Sequence, residues 1–171
     1  MIVVSDTSPL TNLAIVGHLE LLKDLYCQVL IPTAVAEEVR AGEEKGVHPL
    51  ILGQAGWIEV RKVKDDSAVS KLLTRLDAGE AEAIVLSLEN GVDLLLIDER
   101  IGHAIALERG IKTVGLLGTL IAAKRQGHIR DVRPVLDDLI TKAGFWIGST
   151  LYDEVRAPKH LLHPSGGAFS P

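Results

Sequence analysis

Short apolar runs alternate with amphipathic stretches along most of the chain. Five of these runs predict β-strands, at residues 2–4, 28–31, 57–60, 94–97 and 112–114. Most are continuous rather than alternating between apolar and polar residues, as expected for strands covered on both faces. Helical patterns fill the intervals, so the sequence predicts βα units with right-handed crossovers. The expected fold is α/β: a three-layer α/β/α sandwich around a parallel sheet of about five strands.

Residues that favour helix starts mark several of the predicted helices. Ser8 followed by Pro9 predicts an N-cap with proline at the first helical position. Thr33 opens a second helix, and Asp77 with Glu80 has the spacing of a capping box. Further helices are predicted from about residue 99 to residue 110, over 116–125 and over 132–143, whereas residues 145–155 give only weak signals.

Composition is that of one globular domain. The chain has 171 residues, of which 47% are hydrophobic and 24% charged, and it contains no internal repeat. We expect a domain over residues 1–158 and a C-terminal tail over residues 159–171. The single cysteine, Cys27, is predicted to be a buried thiol and fits a reducing compartment. Because we find neither a signal peptide nor a membrane-length apolar run, the expected location is the cytoplasm.

The charge balance directs attention to the carboxylates. Lys and Arg number 18 against 23 Asp and Glu, for a net charge of -5. This balance argues against a protein that coats nucleic acid by bulk positive charge. Six basic side chains could either contact an anionic substrate or form a solvated helix face: Arg100, Lys112, Lys124, Arg125, Arg130 and Arg133.

Two aspartates follow predicted strands. Asp6 comes two residues after the first strand, and Asp98 comes directly after the fourth. Ligands of open parallel sheets bind at the carboxyl ends of strands, where the strand order reverses. If the two strands are neighbours, both aspartates face one crevice, where unpaired carboxylates would repel each other. A divalent cation with oxygen ligands would relieve that repulsion.

Two glutamates near helix starts are candidates to join these aspartates. At about 100° per residue, Glu38 lies roughly 80° from the centre of the apolar stripe of its helix, whereas Glu37 points away. Glu38 therefore either reaches inward or complements the helix dipole. Glu80 is either a capping residue or a pocket acid, and Asp77 and Glu82 are rivals for the same role.

Four acids from separate elements at one sheet edge would hold one or two Mg²⁺ or Mn²⁺ ions. In a two-metal site, one ion activates the attacking water and the other stabilises the leaving oxygen. A phosphodiester is the substrate that suits this chemistry. A phosphoaspartate site is disfavoured because Ser8 stands where a phosphatase needs a second aspartate. The sequence also lacks nucleotide-binding glycine motifs and the spacing of zinc ligands.

Four motifs, in this order and spacing, make the chain resemble the PIN-domain family. They are VVSDTSPLTNL at 3–13, IPTAVAEEV at 31–39, LDAGEAEAIVLS at 76–87 and LLLIDERIGHAIA at 94–106. The family comprises metal-dependent ribonucleases, including the VapC-type toxins of prokaryotic toxin–antitoxin pairs. The chain looks closest to a prokaryotic branch of the family.

The resemblance implies a sheet of order 3-2-1-4-5 and a set of site residues. It matches the family's catalytic, metal-binding acids to Asp6, Glu38, Glu80 and Asp98. It selects Glu80 over Asp77, because the family's third acid follows the glycine. Ser8 matches a small polar position beside the first aspartate. For an auxiliary acid of the family, the sequence offers Glu99 or Thr119.

The resemblance also implies a function and partners. The expected activity is that of an endoribonuclease dependent on Mg²⁺ or Mn²⁺ that leaves 5′-phosphate and 3′-hydroxyl ends. RNA would be the substrate, a homodimer the usual state, and a protein antitoxin the partner of a toxin. The apolar helix around residues 19–25 could supply a dimer interface or belong to the core. The alternative function is that of a non-catalytic PIN module which binds RNA or a protein.

Overall fold

Five parallel strands form a single sheet in the computed structural model, which describes residues 1–49 and 51–156. They are β1 (Val3–Ser5), β2 (Val29–Pro32), β3 (Ile58–Arg61), β4 (Leu94–Leu96) and β5 (Thr113–Val114). Their order is β3-β2-β1-β4-β5, so β1 lies at the centre between β2 and β4. The predicted strands and the expected strand order are confirmed, with boundaries that differ by at most one residue.

Helices connect the strands and cover both faces of the sheet. They are α1 (Thr7–Ile15), α2 (Glu20–Tyr26), α3 (Thr33–Glu44), α4 (Asp66–Leu72), α5 (Ala78–Asn90), α6 (Arg100–Glu108), α7 (Leu116–Arg125), α8 (Val132–Lys142) and α9 (Ser149–Arg156). No helix within the described ranges is long and apolar enough to cross a membrane. The predicted tail over residues 159–171 lies outside the described residues.

The sheet divides the interior into two apolar clusters. Val3 and Ile31 face one side, where helices α1, α2, α7 and α8 supply buried leucines and valines. Val4 and Leu30 face the other side, against α5 and α6. Because successive strand residues point to opposite faces, both faces of the central strands must be apolar. This explains the continuous apolar runs and confirms the α/β/α sandwich.

The structure decides three local predictions, which concern the start of α1, the exposure of Cys27 and the burial of α2. Ser8 does not cap α1, because the helix begins at Thr7 with Asp6 in the N-cap position. Cys27 is exposed rather than buried, since it ends α2 with a positive φ of 66° that turns the chain toward β2. The apolar helix around residues 19–25 belongs to the core, where Leu21, Leu22 and Leu25 are buried.

Candidate active site

Asp6 leaves the central strand at the carboxyl edge of the sheet. Its backbone N–H donates to the carbonyl oxygen of Leu96 over 2.9 Å, which extends the β1–β4 pairing by one residue. Helix α1 begins at the next residue, so the Asp6 side chain is held where strand becomes helix. Asp6 is only 4% exposed. The central strand therefore fixes the backbone position from which this carboxylate projects.

A pocket of about 360 Å³ opens at this edge of the sheet. Its walls come from the start of α1, from α3, from the turn before α5 and from the start of α6. The lining residues are Asp6, Thr7, Ser8, Glu38, Arg75, Asp77, Glu80, Glu99 and Ile101. Five of these nine side chains are carboxylates, and we call this cavity the acidic pocket. It brings together Asp6, Glu38 and Glu80 from three separate elements.

Asp6 and Glu38 approach one another over a glycine. A Cβ atom at Gly79 would lie 2.8 Å from Glu38 Oε2 and 3.2 Å from Asp6 Oδ1. Both carboxylates thus occupy the space that a side chain at residue 79 would need. The Thr7 hydroxyl donates to Glu38 Oε2 and orients it. Glu37 and Glu38 are both exposed, but only Glu38 lines the acidic pocket, on the side that the helical geometry allowed.

Glu80 combines the two roles that the sequence left open. Its Oε2 accepts the Asp77 backbone N–H over 3.2 Å, while Asp77 Oδ1 accepts the Glu80 N–H over 2.8 Å. The capping box is therefore present, and its geometry directs the Glu80 carboxylate to the acidic pocket. Glu82 has a different role, because its Oε2 accepts the Ala34 backbone N–H over 2.9 Å at the start of α3.

Burial, assisted by neighbouring carboxylates, raises pKa values in the acidic pocket. Burial raises the pKa of Asp6 to about 7, with a smaller contribution from the charges of Asp77, Glu80 and Glu38, against a lowering hydrogen bond from the Thr7 backbone. The pKa of Glu80 is also raised, first by burial and then by neighbouring acids. Carboxylates arranged in this way are stabilised by a nearby cation.

Asp98 lies at the same sheet edge but turns to another partner. Its Oδ1 accepts the backbone N–H of Leu116, at the start of α7, over 2.7 Å. Gly115 makes room for it, because a Cβ there would lie 2.8 Å from this oxygen. Burial raises the pKa of Asp98, and its Oδ2 is buried with no hydrogen-bond partner. Asp98 does not line the acidic pocket, so the structure brings together three of the four predicted acids.

The donor atoms of the acidic pocket suit a hard divalent cation. Carboxylate and hydroxyl oxygens are the ligands that Mg²⁺ and Mn²⁺ prefer, and the pocket offers carboxylates beside the hydroxyls of Thr7 and Ser8. Within residues 1–49 and 51–156, no group of three or more Asp, Glu, His or Cys side chains is already arranged to hold a metal ion. The donor types therefore fit such an ion, but the three carboxylates are not positioned to coordinate it simultaneously without moving.

The structure distinguishes the remaining candidates. Glu99 lines the acidic pocket, whereas Thr119 is buried and its hydroxyl donates to the Gly115 carbonyl over 3.1 Å. The six basic side chains that could either contact substrate or form a solvated helix face do not line the pocket, and Lys124 pairs with Asp131 over 3.2 Å. Arg75 lines it instead. Its position depends on the packing of the turn between α4 and α5, for which the sequence carries no local signal.

The parallel sheet of order 3-2-1-4-5 and the acidic pocket at its carboxyl edge define a PIN-like α/β/α protein. The family model DUF3368, described as a PIN domain, matches residues 2–158. The chain therefore belongs to the PIN-domain family, whose members are generally nucleases. No curated protein matches the chain closely enough to count as a relative.

Proposed function

We propose that this protein is a metal-dependent endoribonuclease that hydrolyses the phosphodiester bonds of RNA. The observation that carries the proposal is the approach of Asp6 and Glu38 to one point above Gly79, with Glu80 in the same acidic pocket. Three carboxylates from distant parts of the chain converge there with little positive charge to offset them. Membership of a family of nucleases supports the same chemistry.

The carboxylates of Asp6, Glu38 and Glu80 would hold Mg²⁺ or Mn²⁺. When bound, such an ion supplies a water of lowered pKa and stabilises charge on the phosphate oxygens. The role of Asp98 as a fourth acid stays a prediction, because it lies at the same sheet edge outside the acidic pocket and its Oδ2 is buried without a hydrogen-bond partner.

The chain's own residues prepare this pocket for an anionic substrate and its cation. Thr7 orients Glu38 through its hydroxyl, and the capping box ties the Glu80 carboxylate to the backbone N–H of Asp77. Asp6 is fixed by its backbone bond to Leu96. Because these contacts exist before any ligand arrives, less conformational entropy is lost when the acids close on a cation.

A cleavage assay tests the proposal. Structured and single-stranded RNAs of several sequences are incubated with the full chain and Mn²⁺, with EDTA in place of Mn²⁺, and with Asp6→Asn. We expect Mn²⁺-dependent fragments that disappear with EDTA and in the variant. Glu38→Gln and Glu37→Gln form a matched pair, because only Glu38 lines the acidic pocket. Absence of Mn²⁺-dependent cleavage across the panel, or equal activity of this pair, would contradict the proposal.

A non-catalytic PIN module that binds RNA or a protein is the second candidate. Two observations favour it: Asp98 is engaged by Leu116, and no three acids within the described residues form a ready metal site. Binding of RNA without cleavage, equal in wild type, Asp6→Asn and EDTA, would establish this module.

The proposal extends to location, assembly and partners. We propose a VapC-like toxin acting in the cytoplasm as a homodimer, whose acidic pocket a protein antitoxin would cover. Light scattering during size-exclusion chromatography tests the dimer. Growth arrest upon expression, relieved by Asp6→Asn, tests the toxin. A monomer, or unaffected growth, would count against these two parts alone.

A further inference from the structure

Arg75 is the single basic residue lining the acidic pocket in the described part of the chain. It lies in the turn between α4 and α5, flanked by Leu72 and Leu76, which are both buried. The backbone N–H groups of Arg75 and Leu76 both donate to the Leu72 carbonyl oxygen, over 2.9 and 3.0 Å. The turn is therefore anchored by its apolar neighbours, while Arg75 itself is exposed at the pocket rim.

The Arg75 guanidinium makes no ion pair or hydrogen bond with another side chain among residues 1–49 and 51–156. This is notable because five carboxylates line the same cavity. Elsewhere in the molecule, Lys124 and Lys142 do pair with nearby aspartates, over 3.2 and 3.0 Å. The five donors of Arg75 thus remain available to a ligand in the pocket.

A phosphate group is the ligand that best matches this arrangement. Arginine presents a planar fork of N–H groups that binds two phosphate oxygens at once, and it stays charged at all physiological pH values. The acidic pocket by itself repels a polyanion, and a bound divalent cation offsets only part of its negative charge. Arg75 adds a positive charge from the protein at the entrance that the RNA backbone must pass.

We propose that Arg75 binds a backbone phosphate of the RNA and holds the strand across the acidic pocket. The inference rests on the proposed nuclease function for its substrate, and it assigns a substrate-binding residue. The contact is made to the sugar–phosphate backbone, so it contributes affinity and position without selecting a base.

Binding of a fluorescent single-stranded RNA 12-mer of mixed sequence tests this role. Anisotropy is measured with the full chain in Ca²⁺, at 50 to 200 mM KCl, and a gel confirms that the RNA stays intact. The variants are Arg75→Gln, Arg75→Lys and the control Lys71→Gln. Lys71 is an exposed base one turn earlier that does not line the acidic pocket.

We expect Arg75→Gln to weaken binding about tenfold at 50 mM KCl, because a charged hydrogen bond to phosphate is lost. The slope of log K against log salt should fall by roughly 0.7, the value for one phosphate contact on a single strand. Arg75→Lys should keep the slope and lose part of the affinity. Lys71→Gln should change affinity less than about twofold. All variants should have the melting temperature of the wild type, because these substitutions lie on the surface.

The outcomes separate this inference from the proposed function. If the wild type binds RNA without cleaving it in Mn²⁺, the nuclease proposal fails, and the anisotropy comparison still decides the role of Arg75. If Arg75→Gln matches Lys71→Gln in affinity and slope, the role of Arg75 is overturned, whether or not the protein cleaves. If the wild type does not bind the 12-mer, the role of Arg75 is overturned, whereas the nuclease proposal is still decided by cleavage of the RNA panel in Mn²⁺.

Discussion

Two regions at the carboxyl edge of one sheet use aspartate differently. Asp6 follows β1 and meets Glu38, Asp77 and Glu80 in a pocket lined mostly by carboxylates. Asp98 follows the neighbouring strand β4 and accepts a backbone N–H from the start of α7. In the first region five carboxylates share a pocket with one basic side chain, whereas in the second a helix start meets a single carboxylate. Identical side chains at neighbouring strand ends thus differ in role because their partners differ.

Glycine makes room for the carboxylates in both regions. Gly79 lies beneath Asp6 and Glu38, and Gly115 lies beside Asp98. In each case a methyl group would come within 2.8 Å of a carboxylate oxygen. The acidic pocket and the start of α7 therefore both require a glycine next to a carboxylate. Substituting each glycine tests the two regions separately.

The largest expected difference between the regions is catalytic. Asp6→Asn should reduce Mn²⁺-dependent RNA cleavage by roughly 10³-fold, the scale of losing a central electrostatic group. Asp98→Asn should reduce this cleavage by about 10- to 100-fold, because Asp98 lies outside the acidic pocket and only supports its residues. Single-turnover rates under saturating Mn²⁺ provide the measurement. Equal losses would place Asp98 in the same ligand set and remove the distinction.

The pH dependence of stability in metal-free buffer should reveal the raised pKa of the buried Asp6 carboxyl. The folded protein holds a proton on Asp6 up to a pKa of about 7, whereas the unfolded chain releases it near 3.8. The free energy of unfolding therefore falls as the pH rises from about 4 to 7, by up to about 4 kcal/mol, and then levels off.

Asp6→Asn should remove most of this fall, so that it is more stable than wild type above pH 7 in EDTA. Urea denaturation at pH 4.5, 6 and 8 measures the effect, and Glu37→Gln serves as the exposed control. A wild-type stability that does not change over this pH range would contradict the raised pKa of the buried Asp6 carboxyl.

Substituting the two glycines should perturb the two regions separately. Gly79→Ala places a methyl group against the ends of Glu38 and Asp6, which are flexible side chains and can move aside. We expect about a tenfold loss of cleavage with little loss of stability, because alanine favours the helix. Gly115→Ala should displace Asp98 and leave cleavage closer to wild type. The reverse ranking would show that Asp98 matters more than the acids of the pocket.

The smallest expected effect is the contribution of Asp98 to the start of α7. Asp98→Ala removes the acceptor of the Leu116 N–H. Loss of a comparable helix cap costs about 1 kcal/mol, which urea denaturation at pH 7 would measure. Asp98→Asn keeps an acceptor oxygen and should retain most of that stability. A loss equally large in Asp98→Asn would point to the charge rather than the hydrogen bond.

Local patterns predicted the elements of the fold and part of the site. Apolar runs identified the strands because both faces of a central parallel strand are buried, and the Asp77–Glu80 spacing predicted a capping box that the structure contains. The proximity of Glu38 to Asp6 followed from helical geometry together with the family resemblance. These features depend on residues a few positions apart or on whole-chain periodicity.

Long-range packing determined what the sequence did not predict. Ser8 and Pro9 have the pattern of a helix start, yet Asp6 takes the N-cap position because its N–H still pairs with β4. Asp98 does not line the acidic pocket because its carboxylate accepts the Leu116 N–H, in the space left by Gly115 after β5. Arg75 reaches the acidic pocket through a turn whose orientation depends on buried leucines.

The backbone bond from Asp6 to Leu96 has a consequence for the lifetime of the acidic pocket. An amide that continues a central strand exchanges its hydrogen with solvent only when the whole domain opens, whereas peripheral helices fray independently. Deuterium labelling should therefore find the Asp6 amide among the slowest in the chain, and the position of this carboxylate should endure as long as the native state itself.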